Sequence, residues 1–173
     1  MKTRIKTALA ATAVAVVATA TAVPAAAAPY PIVGKLGSAL NMTDSVGQVA
    51  LSWTVAGLKP CNDVMPGYRV AGTLWEATAT VKAIRGSVTP AVSQFNAVAP
   101  NQAAYRVLWQ VAGPANISAA TIPQGASATG KIHFDVTGPA PTTVTVNDGM
   151  EDRMISAPSP PEPEPASDRR RSV

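Results

Sequence analysis

Cysteine and histidine are scarce in this 173-residue chain, which contains one of each, Cys61 and His133. A single cysteine excludes an intrachain disulfide, so the folded domain has to be stabilised by its hydrophobic core. One cysteine and one histidine are also too few for the usual structural zinc site, which draws its four ligands mainly from these residue types. The sequence therefore predicts no metal site and no cofactor.

Apolar segments long enough to cross a membrane are also lacking. The longest apolar run, residues 8–23, is rich in Ala and Val but short for a bilayer span. A basic start precedes this run and small residues follow it at Ala25–Ala27, an order typical of a secretory signal peptide. Because Pro29 disfavours a cut directly before it, we predict a signal peptide over residues 1–27. The mature protein is expected outside the cytoplasm, with no stable membrane insertion.

Clustered positive charge is absent from the predicted mature protein. The formal net charge of the whole chain is +4, but three of its cations lie in the signal peptide. Between Ala28 and Ala157, eight Lys and Arg residues face seven Asp and Glu residues. Nucleic-acid binding depends on clustered Lys and Arg facing phosphates, so this balance gives no support for a nucleic-acid partner.

What the mature sequence does contain is an alternation of apolar and polar residues, the pattern of strands with one buried face. We predict strands in five segments, which are Gln48–Val55, Leu74–Ile84, Ala104–Val111, Gly130–Thr137 and Thr142–Val146. Turns rich in Gly, Pro, Asn and Asp separate these segments and leave little room for helices. Short strands with turns at this density favour an antiparallel sandwich or barrel.

After Ala157 the composition changes to proline, serine and charged residues, which favour extended polyproline II over a packed structure. We therefore predict one β domain over residues 28–157 and a disordered tail over residues 158–173. Pro158–Pro161 has the PxxP spacing of ligands for proline-recognising domains, but this spacing arises easily in any proline-rich run. We interpret the tail as a solvated spacer.

The best candidate for a catalytic base is His133, which strand alternation places on a polar face with Lys131 and Asp135. A base of this kind would have to activate a Ser or Cys nucleophile. The chain has no GxSxG motif, and Cys61, beside Pro60, lies in no recognisable active-site context. We predict no catalytic residues and no enzymatic activity. His133 is expected to be exposed, and Cys61 to be a partly buried, unreactive thiol.

An acidic cluster at Asp148, Glu151 and Asp152 offers oxygen ligands that Ca²⁺ could use. Its spacing does not fit an EF-hand loop, however. Carboxylates beside glycine turns are ordinary surface chemistry, so we interpret the cluster as a solvated turn followed by the charged start of a strand.

Tryptophans are the remaining candidates for ligand contacts. Trp53 and Trp109 lie on the apolar sides of their predicted strands, so we expect both in the core. Trp75 adjoins Leu74, and adjacent residues of one regular strand cannot both point into the same core. A cleft between the sheets, lined by apolar residues and an aromatic such as Trp75 or Tyr68, would indicate a small-ligand site.

Several long strings resemble the small secreted immunogenic protein family of mycobacteria, including Pro31–Ser38, Trp75–Val81, Ala83–Asn96, Tyr105–Gln110 and Phe134–Pro139. The resemblance covers nearly the whole mature domain. It implies an immunoglobulin-like antiparallel β-sandwich that is exported and seen as an antigen by an infected host, and it implies no known activity. Cys61 with its neighbours and the long polar end Met154–Val173 depart from the family pattern.

Two classes of function follow from export, a small β domain and the lack of catalytic motifs. The first is an extracellular protein-interaction module with a host or cell-envelope partner. The alternative is a domain that binds a small lipid or glycan, and an exported hydrolase is a third possibility. Neither the residues nor the resemblance identifies the ligand or the oligomeric state, because one architecture supports many functions.

Overall fold

The computed structural model describes residues 30–111 and 113–159. The predicted signal peptide lies outside the described residues, and so do residues 160–173 of the predicted tail. The described residues form nine strands, which are β1 (Ile32–Lys35), β2 (Ala39–Thr43), β3 (Val49–Pro60), β4 (Thr73–Ala83), β5 (Phe95–Val98), β6 (Ala104–Arg106), β7 (Ser127–Val136), β8 (Thr143–Asn147) and β9 (Asp152–Ala157). One 3₁₀ turn, Val92–Gln94, precedes β5. Within the described ranges, no helix is long and apolar enough to cross a membrane.

The strands form two sheets. One sheet has the order β1-β9-β8-β5-β6 and the other has the order β2-β3-β4-β7. All strand pairs are antiparallel except β1 with β9. This arrangement confirms the predicted antiparallel β-sandwich.

The core lies between the inner faces of the two sheets, as strand alternation requires. On β4, every second residue from Ala77 to Ala83 is almost completely buried. Trp53 and Phe95 meet across the core edge-to-face, with ring centroids 4.9 Å apart. Burying a large apolar side chain of this kind contributes about 1.5–3 kcal/mol, which suits a domain without a disulfide.

Four of the five predicted strands are confirmed with shifted ends, as β3, β4, β7 and β8. The prediction of a strand through Val111 was wrong, because β6 ends at Arg106 and the chain then crosses to the other sheet. There the amide of Leu108 donates a hydrogen bond to the carbonyl of His133. The short strands β1, β2 and β5, and most of β9, were not predicted.

Strand β7 ends the four-stranded sheet, but its outer edge is covered by the segment that leaves β6. We call this segment, residues 107–119 without residue 112, the crossover segment. The amide of Ile117 donates to the carbonyl of Lys131 at 3.0 Å, and the amide of Lys131 donates to Ala115 at 2.8 Å. The crossover segment and the loop after β3, residues 61–72, together surround the part of β7 that carries His133.

Candidate functional site

An open cleft of about 550 Å³ lies where the crossover segment meets β7. Its walls are mostly apolar and include Val92, Val107, Trp109, Ile117 and Ile132. Its polar lining includes Ser93, Asn116, Lys131 and His133. A concave, mainly apolar site of this volume with a few polar groups has the usual properties of a small-ligand pocket.

Trp109 borders this cleft and is 54% exposed, so the prediction that it lies in the core was wrong. The strand ends at Arg106 although the alternation in the sequence continues, and Trp109 lies in the turn beyond the strand. The same prediction was correct for Trp53, which is 2% exposed. Trp75 is partly buried against the core. Neither Trp75 nor Tyr68 lines the cleft, so its location differs from the predicted one.

A cluster of charged side chains lies on the outer face of β4 and β7, beside the cleft. Glu76 and His133 are directly opposite each other across these strands. Lys131 Nζ lies 2.8 Å from Asp63 Oδ2 and also forms an ion pair with Glu76 Oε2. His133 Nε2 lies 3.1 Å from the same Asp63 oxygen. Asp63 therefore connects the loop after β3 to the surface of the sheet.

His133 lies on the polar face that alternation predicts, but it is only 3% exposed, so the expectation of an exposed histidine was wrong. The crossover segment and the loop after β3 cover this part of the face. The hydrogen bond from Lys131, followed by that from His133, holds the pKa of Asp63 below its usual range. Hydrogen bonds to Asp63 and Glu76 raise the pKa of Lys131, so this lysine remains an ammonium ion.

Cys61 directly follows β3 and is partly buried, with its amide donating to the carbonyl of Leu74 at 2.9 Å. Burial, the largest effect, raises the pKa of its thiol. A raised pKa opposes formation of the thiolate that a catalytic cysteine requires, so the site gives no support for nucleophilic catalysis.

The fold nevertheless brings Cys61 close to Asp63, Glu76 and His133. One potential ligand atom from each of these residues lies within 4.8 Å of the others. The sequence-based expectation of no metal site relied on counts of Cys and His and did not anticipate this grouping. The signal that could have identified it is the pairing of β4 with β7, which places Glu76 opposite His133.

The acidic residues at Asp148, Glu151 and Asp152 are separate from this cluster. Asp148 Oδ1 accepts hydrogen bonds from the amides of Met150 and Glu151. Arg153 pairs with both Asp148 and Glu151, and Asp152 accepts a hydrogen bond from Asn147. These bonds organise the turn between β8 and β9.

Comparison with known proteins identifies the family of this chain. Residues 31–156 match the family described as Domain of unknown function (DUF1942). Over 158 residues, the chain is 64% identical to immunogenic protein MPB63 of Mycobacterium bovis and to immunogenic protein MPT63 of Mycobacterium tuberculosis. Each alignment covers 91% of this chain and 99% of the relative.

The fold also matches the crystal structure of MPT63, a secreted protein from Mycobacterium tuberculosis. The TM-score is 0.71 at 67% identity, and the match covers 75% of this chain and 98% of that one. These relatives are named as immunogenic proteins and not as enzymes, and no catalytic family is indicated. The resemblance predicted from the sequence is confirmed, and the protein is a secreted antigen. The chain therefore belongs to the DUF1942 family, together with the mycobacterial immunogenic proteins MPT63 and MPB63.

Proposed function

We propose that this protein is an extracellular binding protein that holds a small lipid-like ligand in the cleft beside β7. The observation that carries this proposal is the open apolar cleft of about 550 Å³ with Trp109 exposed at its border. An indole with more than half of its surface in water is unfavourable for stability, and large exposed apolar groups often mark binding sites.

The chemistry of the lining defines the ligand class. Val92, Val107 and Ile117 are core residues whose edges line the cleft, and with the exposed ring of Trp109 they offer apolar contacts to a hydrocarbon body. Asn116 and His133 provide polar groups beside that surface. Lys131 is already paired with two carboxylates, so it does not present an unbalanced positive charge to the ligand. We therefore infer a ligand with an apolar body and an uncharged, hydrogen-bonding head.

Trp109 should contribute a large share of the affinity. Covering its exposed half would remove about 100 Å² of mainly apolar surface from water, which is about 2.5 kcal/mol. Part of this free energy is offset by the entropy lost when the ligand is ordered. Trp109→Ala should therefore weaken binding by roughly 30-fold, equivalent to about 2 kcal/mol. The variant should remain folded, because the side chain is largely outside the core.

The test is a fluorescence titration of the mature protein with medium-chain monoacylglycerols, kept below the concentration at which they form micelles. We expect a saturable change in emission that is lost in Trp109→Ala. Trp75→Phe is the matched control, because Trp75 lies outside the cleft and its replacement keeps an aromatic ring. No saturable binding, or unchanged affinity in Trp109→Ala measured by calorimetry, would overturn the proposal.

A second candidate function is an extracellular protein-interaction module with a host or envelope partner. The supporting observation is β1, a short strand at the end of the five-stranded sheet on which Val33 is 64% exposed. Terminal strands can pair with an extended segment of another protein. Under this proposal, cross-linking against host-cell and envelope extracts recovers a saturable protein partner, and Val33→Lys reduces its recovery. Failure to recover a saturable partner with wild-type protein would exclude this function.

A further inference from the structure

We propose that Cys61, Asp63, Glu76 and His133 form a binding site for one divalent transition-metal ion, and that Zn²⁺ fits it best. This site is distinct from the apolar cleft, although His133 borders both. Its occupation by a metal does not depend on the cleft holding a ligand.

The four side chains have the spacing that a metal ion needs after a small contraction. Zn²⁺ binds sulfur at about 2.3 Å and nitrogen or oxygen at about 2.0–2.2 Å. In a tetrahedron these bond lengths place the ligand atoms roughly 3.3–3.8 Å apart. The ligand atoms here lie within 4.8 Å of one another, so side-chain rotations of about 1 Å close the site.

The backbone holds three of the ligands firmly. Glu76 and His133 are direct neighbours on β4 and β7, in the middle of a continuous antiparallel pairing. Cys61 is fixed to the start of β4 by the hydrogen bond from its amide to Leu74. Asp63 lies two residues later in the loop and can adjust its position. Ligands carried mainly by strands reduce the entropy that ion binding has to overcome.

The donor atoms select the ion. One sulfur, one imidazole nitrogen and two carboxylates are a borderline set, typical of Zn²⁺ and its substitute Co²⁺. Mg²⁺ and Ca²⁺ prefer shells made of oxygen alone and would not use Cys61. Asp63 and His133 also border a second open pocket of about 250 Å³, which gives an ion a route from solvent.

The buried imidazole of His133 can adopt the tautomer that a metal ion requires. The side chain of His133 is 2% exposed, and its Nδ1 has no hydrogen-bond partner among the described residues. Without metal, His133 donates from Nε2 to Asp63. Because Nδ1 has no partner among the described residues, the proton can move to Nδ1 and leave Nε2 free to bind a metal.

The charges also balance once an ion is bound. Zn²⁺ with the Cys61 thiolate and two carboxylates carries a net charge of −1, and the ammonium of Lys131 brings the cluster to neutrality. Binding releases one proton to solvent, from the Cys61 thiol. Without metal, Lys131 bridges Asp63 and Glu76 and so occupies the position of the cation. Lys131 therefore competes with the ion and lowers its affinity.

The test uses the reduced, full mature protein with Zn²⁺ in competition against a chromophoric chelator, and Co²⁺ as a spectroscopic probe. We expect one equivalent of Zn²⁺ to bind, and Co²⁺ to give a thiolate-to-cobalt charge-transfer band. Cys61→Ser should abolish this band and weaken Zn²⁺ binding at least 10-fold, and His133→Gln should weaken it similarly. Lys131→Met should strengthen binding about 10-fold, a gain that simple structural damage would not produce.

Asp148→Asn is the matched control, since it removes a carboxylate from the separate acidic turn and should leave the affinity unchanged. A folded wild-type protein that binds no Zn²⁺, or binds Co²⁺ without the charge-transfer band, would overturn the proposal. A folded Cys61→Ser variant that bound Zn²⁺ as tightly as the wild type would also overturn the proposal.

Discussion

Replacing Gly130 with alanine tests how closely the crossover segment is packed against β7. A methyl group at this position would lie about 2.6 Å from the carbonyl carbon of Asn116 and closer still to the amide nitrogen of Ile117. Both contacts involve backbone atoms, so a side-chain rotation cannot relieve them. The crossover segment would have to move away from the strand.

The magnitude follows from three effects. Forcing a methyl group into a filled space typically costs about 1–3 kcal/mol. Displacing the segment also weakens the hydrogen bonds that join Lys131 to Ile117 and Ala115, each contributing about 1 kcal/mol. Alanine is better than glycine in a strand by about 0.5–1 kcal/mol, which offsets part of the loss. We expect Gly130→Ala to lower the free energy of unfolding by about 3 kcal/mol.

The assay is urea and thermal unfolding of the mature domain, followed by circular dichroism and tryptophan fluorescence. For a domain of this size, about 3 kcal/mol corresponds to a decrease in Tm of about 6–12 °C. Gly113→Ala is the control, because a methyl group there would meet Asn116 Oδ1 at an ordinary 3.4 Å. The reasoning would be refuted if the Tm of Gly130→Ala lay within about 1–2 °C of the Tm of Gly113→Ala, because a difference that small is typical of a harmless surface substitution.

Three further substitutions test other parts of the structure by the same unfolding measurements. Phe95→Ala removes a fully buried ring and its edge-to-face contact with Trp53, so it should cost about 3–5 kcal/mol. Trp109→Ala should change stability by less than about 1 kcal/mol, since its ring is largely outside the core. Asp135→Asn weakens acceptors for the amides of Ala71 and Gly72 and should cost about 1–2 kcal/mol at neutral pH. Burial raises the pKa of Asp135, but these hydrogen bonds outweigh it and lower the pKa overall. Asp135 therefore stabilises the fold fully above the ordinary carboxyl pKa of about 3.9, and this stabilisation is lost as the pH falls through the lowered pKa. The difference in unfolding free energy between wild type and Asp135→Asn should therefore decrease below about pH 4.

The sequence predicted the long central strands because each buries only one face. Apolar residues recur at every second position from Val49 to Val55, and this pattern has a single physical interpretation. The same reasoning failed beyond Arg106, where alternation continues through a segment that turns and crosses to the other sheet. Local alternation cannot show where a strand loses its hydrogen-bonding partner, so the exposure of Trp109 was not predictable from it.

The candidate metal site could not be predicted from the sequence for a related reason. Cys61 and His133 are 72 positions apart in the sequence, and their spacing matches no common metal-binding motif. They become neighbours only through the pairing of β3 and β7 with β4, which sits between them. A sheet register depends on long-range pairing, which single-sequence patterns do not specify. The burial of His133 likewise depends on two loops whose paths the sequence does not reveal.

The parallel pairing of β1 with β9 has a consequence for export. In a chain that crosses the membrane unfolded from its N-terminus, β1 is the first strand to emerge and β9 is the last. Among the described strands, β9 is the only hydrogen-bonded neighbour of β1 in its sheet, so β1 stays unpaired until residues 154–157 have left the membrane. Export of this kind delays completion of the fold to the end of secretion, and a chain truncated before β9 would reach the outside with its first strand open to aggregation.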